Sequence, residues 1–96
     1  MFRPGFIFQL SPRPEPSNGA EESPRLGLIA SRKVGPAPVR NLVKRRIREL
    51  FRHHWQQLPA RSDLVVILRP RARELSFTDL KHDFLFCINH LKPKWK

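Results

Sequence analysis

The sequence predicts a small α+β domain in which helices pack on a sheet of three or four strands. Three short apolar segments have the length and composition of strands, and two longer segments repeat their apolar residues with the period of a helix. Their order is strand, strand, helix, strand, helix. The 96 residues, 40% of them hydrophobic, are enough for one domain with a modest core, so residues 1–96 are interpreted as a single domain.

The first two strands flank a proline-rich segment. Residues 6–10 form a short apolar run between two prolines, and residues 25–32 form a second run. The intervening residues 12–24 are rich in proline, serine and glycine, which predicts an exposed loop.

The third predicted element is an amphipathic helix. Two prolines in residues 33–38 end the second strand, and Pro38 suits the first turn of a helix because it lacks only an N–H that would be unpaired there. From residue 39 to Pro59 the apolar residues fall on one side at 100° per residue: Val39, Leu42, Val43, Ile47, Leu50, Phe51 and Leu58.

The last two elements are a strand and a helix. Residues 63–69 form a continuous apolar run, which predicts a strand covered on both faces. Ser76 and Asp79 have the spacing of a capping box, so a helix is expected to follow them. Its apolar stripe consists of Phe77, Leu80, Phe84, Ile88 and Leu91.

The positive charge is concentrated in one part of the chain. Nineteen Lys and Arg against eight Asp and Glu give a net charge of +11, distributed as −1 in residues 1–24, +9 in 25–61 and +3 in 62–96. This predicts a binding surface for a polyanion, either nucleic acid or an anionic membrane surface. With one cysteine, no membrane-length apolar run and no signal peptide, the chain is expected to be cytoplasmic.

The basic residues of the first helix lie opposite its apolar side. An arc of about 60° holds Asn41, Arg45, Arg48 and Arg52. We call these four residues, with Lys44 at their border, the basic stripe. A solvated helix face usually alternates cations with glutamate, whereas residues 40–48 contain five cations and no anion. Guanidinium groups match phosphate oxygens, so the pattern favours polyanion binding over a solvated face.

Residues 25–52, RLGLIASRKVGPAPVRNLVKRRIRELFR, resemble the signature of the bacterial ribonuclease P protein subunit. In that family a strand ending in Ser-Lys-Lys-Val-Gly precedes a short turn and a helix that opens Arg-Asn-Arg and continues with basic residues and Arg-Glu-x-Phe-Arg. Residues 63–69 and 75–80 resemble the family's next strand and the start of its last helix. The resemblance extends over roughly residues 25–91.

The resemblance implies an α/β sandwich with a left-handed β–α–β crossover, as in a domain of a small-subunit ribosomal protein. It also implies that the chain binds a catalytic RNA, one protein per RNA, and helps it remove the 5′ leader of precursor tRNA. The positions that match the family's RNA-contacting residues are Arg32, Lys33, Arg40, Asn41, Lys44, Arg45 and Arg48. Arg52 joins them as part of the basic stripe. Phe6 and Phe8 alternate onto one strand face, where they can either stack on the leader or pack in the core.

The sequence departs from the family pattern in two places. Leu42 stands where the Arg-Asn-Arg motif has its second arginine, and its position on the helix predicts packing at the edge of the core. The family also begins with a helix before its first strand, whereas here residue 1 almost adjoins that strand. We therefore expect either that this helix is absent or that the given start lies downstream of the true one.

No convincing catalytic or metal site is visible in the sequence. His53 and His54 point about 100° apart on a helix, and Cys87 and His90 lack a second pair of ligands. In the resembled family the RNA and its Mg²⁺ carry out the hydrolysis, so no cofactor bound by the protein alone is expected. Two alternatives stay open: a stand-alone or ribosome-associated RNA-binding module, and a basic helix that binds anionic lipid or an acidic partner.

Overall fold

The computed structural model describes residues 1–12 and 23–91 and contains a three-stranded sheet with two helices. Most of the predicted loop at residues 12–24 and the basic tail at residues 92–96 lie outside the described residues. The predicted order of strands and helices is confirmed. The elements are β1 (Phe6–Pro12), β2 (Arg25–Ala30), α1 (Ala37–His54), β3 (Ser62–Leu68) and α2 (Phe77–Leu91).

The central strand of the sheet is β3. It pairs antiparallel with β1 and parallel with β2, which gives the order β1-β3-β2. Because β2 and β3 are parallel neighbours, the chain must return to the starting edge of the sheet between them, and α1 makes that connection. The β–α–β unit is therefore present, and the handedness of its crossover stays a prediction of the family resemblance.

The hydrophobic core lies on one face of the sheet. Phe8 of β1 is opposite Val66 of β3, which is in turn opposite Leu28 of β2, so alternate residues of all three strands share this face. Both helices pack on it. The fully buried side chains that the helices contribute include Val43, Ile47, Leu50, Leu80, Phe84, Cys87 and Ile88.

The opposite face of the sheet has no helix on it in the described part of the chain. Val65 and Ile67 of β3 are half-buried, and Ile29 of β2 is 54% exposed. The expectation that residues 63–69 are covered on both faces is therefore wrong. The run is apolar throughout, but both helices lie on the same side, so burial alternates along the strand.

The helix boundaries differ from the predicted ones for local reasons. Pro36 is the extended N-cap of α1 and Pro38 lies in its first turn, so the helix begins at Ala37, two residues earlier than predicted. It ends at His54, because Trp55–Gln57 tightens into a 3-10 turn, a common way for a helix to end.

The start of α2 follows the predicted capping box. The Asp79 backbone N–H donates to Ser76 Oγ at 3.0 Å, and the Ser76 backbone N–H donates to Asp79 Oδ2 at 3.4 Å. Phe77 was predicted to belong to the buried stripe of this helix, and that is wrong, since 39% of it is exposed. It occupies the first position of α2, beside a groove that separates α2 from α1.

The N-terminal residues are attached to both β1 and α2. The amino group of Met1 donates to the Phe8 carbonyl at 2.8 Å, and the Phe8 backbone N–H donates to the Met1 carbonyl at 2.8 Å. Arg3 Nη2 lies 2.7 Å from Asp83 Oδ1 of α2, and the guanidinium is 4.5 Å from the centre of the Phe86 ring. These contacts fix the segment before β1 against the last helix.

Within residues 1–12 and 23–91, neither helix has the combination of length and hydropathy that crossing a bilayer requires.

Candidate nucleic-acid interface

The outer face of α1 carries the basic stripe. The helix buries Val43, Ile47 and Leu50 against the sheet, which turns the opposite side toward solvent. Arg45 and Arg48 are exposed on that side, as the helical period predicts. The amphipathic pattern therefore determines which way the cations face.

Most of the predicted RNA-contacting side chains have no partner among residues 1–12 and 23–91. Those that make no side-chain hydrogen bond or ion pair with the described residues are Arg32, Lys33, Asn41, Lys44, Arg45 and Arg48. Among the described residues, no hydrogen bond or ion pair of these side chains has to break before they meet an anion. Glu49 lies near Arg45 and Arg48 but pairs with Arg52 and His53, so these cations remain available to phosphates.

Arg52, at the end of the basic stripe, differs from the others. Its Nη2 lies 2.9 Å from Glu49 Oε2, and His53 Nε2 lies 3.2 Å from the same oxygen. The hydrogen bond from Arg52 lowers the pKa of Glu49 and raises that of Arg52 itself. The pair is exposed and weak, but it partly neutralises this end of the stripe.

A short turn before α1 positions two further cations. Arg32–Val34 forms a 3-10 turn in which the Lys33 backbone N–H donates to Ser31 Oγ at 3.3 Å. Val34 is fully buried and anchors the turn, while Arg32 and Lys33 stay exposed. The turn takes the place of the last two residues of the predicted strand 25–32.

Gly35 and Arg40 join this turn to α1. Gly35 has φ of +148°, and a Cβ there would lie 3.0 Å from Val39 Cγ1, so the position suits only glycine. Arg40 Nη1 donates to the Gly35 carbonyl at 3.0 Å. Arg40 therefore holds the turn in place with one of its nitrogens and can offer the others to RNA.

Arg46 does not replace the cation that Leu42 removes from the family motif. Its Nη1 donates to the Leu75 carbonyl at 3.3 Å, which connects α1 to the segment preceding α2. Leu42, predicted to pack at the edge of the core, is instead 37% exposed and is not among the side chains that pack against the core cluster.

The structure adds arginines that sequence reasoning did not assign to the site. Pro70–Glu74 forms a 3-10 turn that packs against the Arg32–Val34 turn. A Cβ placed at Gly35 would lie 3.7 Å from Arg73 Nη1, which puts that guanidinium beside the predicted RNA-contacting turn. The signal in the sequence was the spacing of Arg69, Arg71 and Arg73 around a proline.

The leader-stacking role considered for Phe6 and Phe8 is contradicted by their burial. Both are 0% exposed, and the Phe8 ring meets Phe84 edge-on at 5.5 Å between centroids. The alternation that places them on one strand face directs them into the core, so neither ring is accessible to a base.

The thiol of Cys87 is buried and unreactive near neutral pH. Cys87 is 0% exposed, and burial raises the pKa of its thiol to about 11, so it is neutral near pH 7. Among the described residues no three side chains of His, Cys, Asp or Glu come together as metal ligands.

Together these features define a class: a small α+β domain with a basic surface formed by one helix face and the turn that precedes it. Comparison with known proteins identifies the family. A sequence model of the family Ribonuclease P matches residues 2–92, and the chain belongs to that family.

Individual relatives agree with this assignment. The chain is 42% identical over 69 residues to the ribonuclease P protein component of Nocardioides sp., which covers 72% of this chain and 59% of that protein. It is 48% identical over 59 residues to the component of Thermus brockianus, covering 62% of this chain and 35% of the relative. The chain thus spans less than two thirds of the length of these relatives.

Solved structures of the family share the fold. The RNase P protein of Staphylococcus aureus superposes with a TM-score of 0.78 at 26% identity, covering 96% of this chain and 79% of the other. The RNase P protein of Thermotoga maritima superposes with a TM-score of 0.77 at 28% identity, and the match covers 94% of this chain and 80% of the other. The predicted fold class is confirmed.

Different findings count against the two alternative functions, a stand-alone RNA-binding module and a helix that binds lipid or an acidic partner. Membership of the ribonuclease P family does not favour the first of these. A lipid-binding helix needs a free apolar face, whereas α1 buries Val43, Ile47 and Leu50 in the core.

Proposed function

We propose that this chain binds the RNA subunit of ribonuclease P and assists removal of the 5′ leader from precursor tRNA. The observation that carries the proposal is the set of cations on the outer face of α1 and on the Arg32–Val34 turn that have no partner in the described part of the chain. Phosphate oxygens are the partners that such groups fit, and the turn directly precedes α1 and contacts it. The match of residues 2–92 to the family supports the same role.

In this proposal the protein contributes binding, and the RNA contributes catalysis. The RNA subunit and its Mg²⁺ ions hydrolyse the phosphodiester bond, and the protein neutralises phosphates that would otherwise repel the substrate. One protein acts with one RNA, in the cytoplasm. The concentration of Mg²⁺ needed for activity is therefore expected to fall when the protein is present.

The leader fits the face of the sheet opposite the helices better than it fits Phe6 and Phe8. Ile29 is 54% exposed there, and Ile7 and Ile67 are half-buried. Apolar side chains of this kind can contact unstacked bases, whereas the two phenylalanines lie in the core.

Reconstitution tests the proposal. The protein is added to a bacterial ribonuclease P RNA and a 5′-extended tRNA at a Mg²⁺ concentration where the RNA alone is slow, and leader release is followed. We expect faster cleavage with the wild-type chain and a loss of that gain when Arg45 and Arg48 are both replaced by alanine. No gain with a folded wild-type protein would contradict the proposal.

Arg25→Ala is the matched control for that experiment. Arg25 is also exposed, but its Nε lies 3.1 Å from Asp63 Oδ1, so its charge is already compensated. Removing it lowers the net charge without removing an unpaired cation of the surface. The affinity of Arg25→Ala for the ribonuclease P RNA should therefore stay close to that of the wild-type chain, and its cleavage rate reports separately on the open face of the sheet, where Arg25 lies.

A further inference from the structure

A groove runs between α1 and the start of α2, directly beside the basic stripe. Its volume is about 460 Å³, within the range of small-ligand clefts, and it is open to solvent. The residues that line it are Leu42, Arg45, Arg46, Glu49 and Phe77. We call it the Leu42–Phe77 groove. Two large apolar side chains are exposed in it, Leu42 at 37% and Phe77 at 39%.

The position of Phe77 leaves its ring available. The capping box of Ser76 and Asp79 fixes the first turn of α2, and Phe77 is the first residue of that turn. The ring contacts within the described chain involve other aromatic residues, such as Phe84 and Phe86, and none involves Phe77. An aromatic ring that the fold holds in place without stacking on it can accept a flat ligand.

The groove is continuous with the basic surface through Arg45. This residue belongs to the basic stripe and also lines the groove, and it has no partner within the described residues. A phosphate bound by Arg45 therefore brings the rest of its nucleotide to the edge of the groove. Charge complementarity thus selects a polyanion as the occupant over an uncharged partner.

The groove itself suits the uncharged part of such a ligand. Glu49 lines it and carries a carboxylate whose pKa is lowered by the hydrogen bond from Arg52, so it is ionised near neutral pH. A second phosphate inside the groove would meet this negative charge. A base has no charge to be repelled and presents a π-face to Phe77.

Leu42 distinguishes this groove from what the family motif predicts. It stands where the family motif has arginine, so a cation beside the stripe is replaced by apolar surface. Arg46, the next cation along this side, is engaged with the Leu75 carbonyl. At this position the chain therefore presents, in place of a cation, apolar surface that a base can cover.

We propose that the Leu42–Phe77 groove takes an unpaired base of the bound RNA, stacked on Phe77, while Arg45 holds the neighbouring phosphate. The proposal rests on the proposed RNA-binding function and assigns a second kind of contact to it. Stacking of a base on an aromatic side chain tolerates any sequence, because every base has a π-face. The contact would add affinity that depends on bases and changes little with salt.

The test compares two labelled single-stranded probes by fluorescence anisotropy at one salt concentration. One is decaadenylate, and the other is an abasic RNA decamer with the same number of phosphates. The wild-type chain should bind decaadenylate more tightly, by a factor on the order of ten, as expected for one stacked base. Phe77→Ala should have a lower ratio, which retains only what bases contribute at the open face of the sheet, and should keep its affinity for the abasic probe. Phe77→Tyr should retain the wild-type ratio.

Two further variants make the test specific. Phe86→Ala is the matched control, because Phe86 is 42% exposed on the same helix but lies against Arg3 and His90 instead of the groove. It should keep the wild-type ratio. Leu42→Arg should bind the abasic probe more tightly and have a smaller ratio, because it restores a cation and removes apolar surface. Thermal denaturation of each variant confirms that it is folded.

Several results would contradict the proposed base contact with Phe77. A ratio near one for the wild-type chain, or an unchanged ratio in Phe77→Ala, would overturn the proposal. A shift from dimer to monomer in Phe77→Ala on sedimentation, with the ratio unchanged, would assign the groove to a second copy of the chain and also overturn it. Failure of the reconstituted cleavage assay with wild-type protein, by contrast, would count against the proposed function and leave the decamer result unaffected.

Discussion

Individual arginines of this chain differ in role because their partners differ. Arg45 and Arg48 have no partner among the described residues, Arg52 is paired with Glu49, and Arg46 donates to a backbone carbonyl. The same residue type is therefore free on the surface at two positions, forms a local ion pair at a third and bridges α1 to the segment before α2 at a fourth. Sequence pattern places all four on the helix, and only the contacts separate them.

Gly35 offers a test of the backbone at the Arg32–Val34 turn. Gly35→Ala should lower the free energy of unfolding by about 1–3 kcal/mol, because φ is +148° and the new Cβ would crowd Val39. It should also weaken RNA binding by displacing the carbonyl that Arg40 holds. Urea denaturation and RNA affinity measure the two effects.

Gly27→Ala is the control for that substitution. A Cβ at Gly27 would lie 3.8 Å from Val65 Cγ2, an ordinary contact on the open face of the sheet. Its effect on unfolding should be small, and its affinity for the RNA subunit of ribonuclease P should be unchanged. Equal urea midpoints for the two variants would contradict the strain assigned to Gly35.

Cys87 reports on folding through its reactivity. The thiol is fully buried and its pKa is raised to about 11, so at pH 8 only about one molecule in a thousand carries the reactive thiolate. Iodoacetamide should therefore label the folded chain far more slowly than the chain in denaturing urea, as followed by mass spectrometry. Equal rates in the two conditions would show that the core around α2 is open.

At the scale of elements, the strands and helices were predictable and their surroundings were not. Short apolar runs located the three strands, apolar periodicity located the two helices, and Ser76 and Asp79 fixed where α2 begins. The one-sided coverage of β3 and the exposure of Phe77 depend on where neighbouring elements lie in space, which a local pattern does not contain. The 3-10 turns at Arg32–Val34 and Trp55–Gln57 replace the predicted ends of a strand and a helix, and they are local changes of the backbone that apolar spacing does not encode.

The candidate site divides in a similar way. The basic stripe was predictable because helical geometry alone places its residues on one side. The burial of Phe6 and Phe8 was not predictable. Alternation shows that the two residues share a strand face, but it does not show which face of the sheet the helices cover. The contribution of Arg73 was hidden because residues 35 and 73 are far apart in sequence.

The contact between the N-terminal segment and α2 should contribute measurably to stability. Arg3 and Asp83 have side chains that are 27% and 12% exposed, and a partly buried pair leaves an uncompensated charge when one partner is removed. Arg3→Ala should lower the free energy of unfolding by about 1–3 kcal/mol, including the loss of the contact with Phe86. Urea denaturation measures this change.

The exposed pair between β2 and β3 provides the comparison. Arg25 and Asp63 have side chains that are 60% and 36% exposed, so Arg25→Ala should cost less than about 1 kcal/mol. Equal losses of unfolding free energy in Arg25→Ala and Arg3→Ala would contradict the idea that partial burial strengthens the Arg3–Asp83 pair.

In the whole molecule, the residues that form the core and the residues that form the basic surface lie on different sides of α1. Both helices use the same face of the sheet, so the core lies between them and β1, β2 and β3. The outer face of α1 is then left to solvent, in the part of the chain that carries +9 of the net charge of +11. Charges gathered on one side can attract a polyanion without disturbing the core.

This arrangement predicts how RNA affinity depends on salt. Five cations of the surface lack a partner in the described chain, Arg32, Lys33, Lys44, Arg45 and Arg48, and Arg40 has nitrogens to spare. If these engage about six phosphates, log K against log[salt] should have a slope of about −4 to −5. Arg45→Ala and Arg48→Ala should each reduce the magnitude of the slope by about 1, and Arg52→Ala by less, because Glu49 already compensates its charge. Titrations of ribonuclease P RNA at several salt concentrations measure these slopes, and an affinity that is insensitive to salt would show that the basic surface is not where the RNA binds.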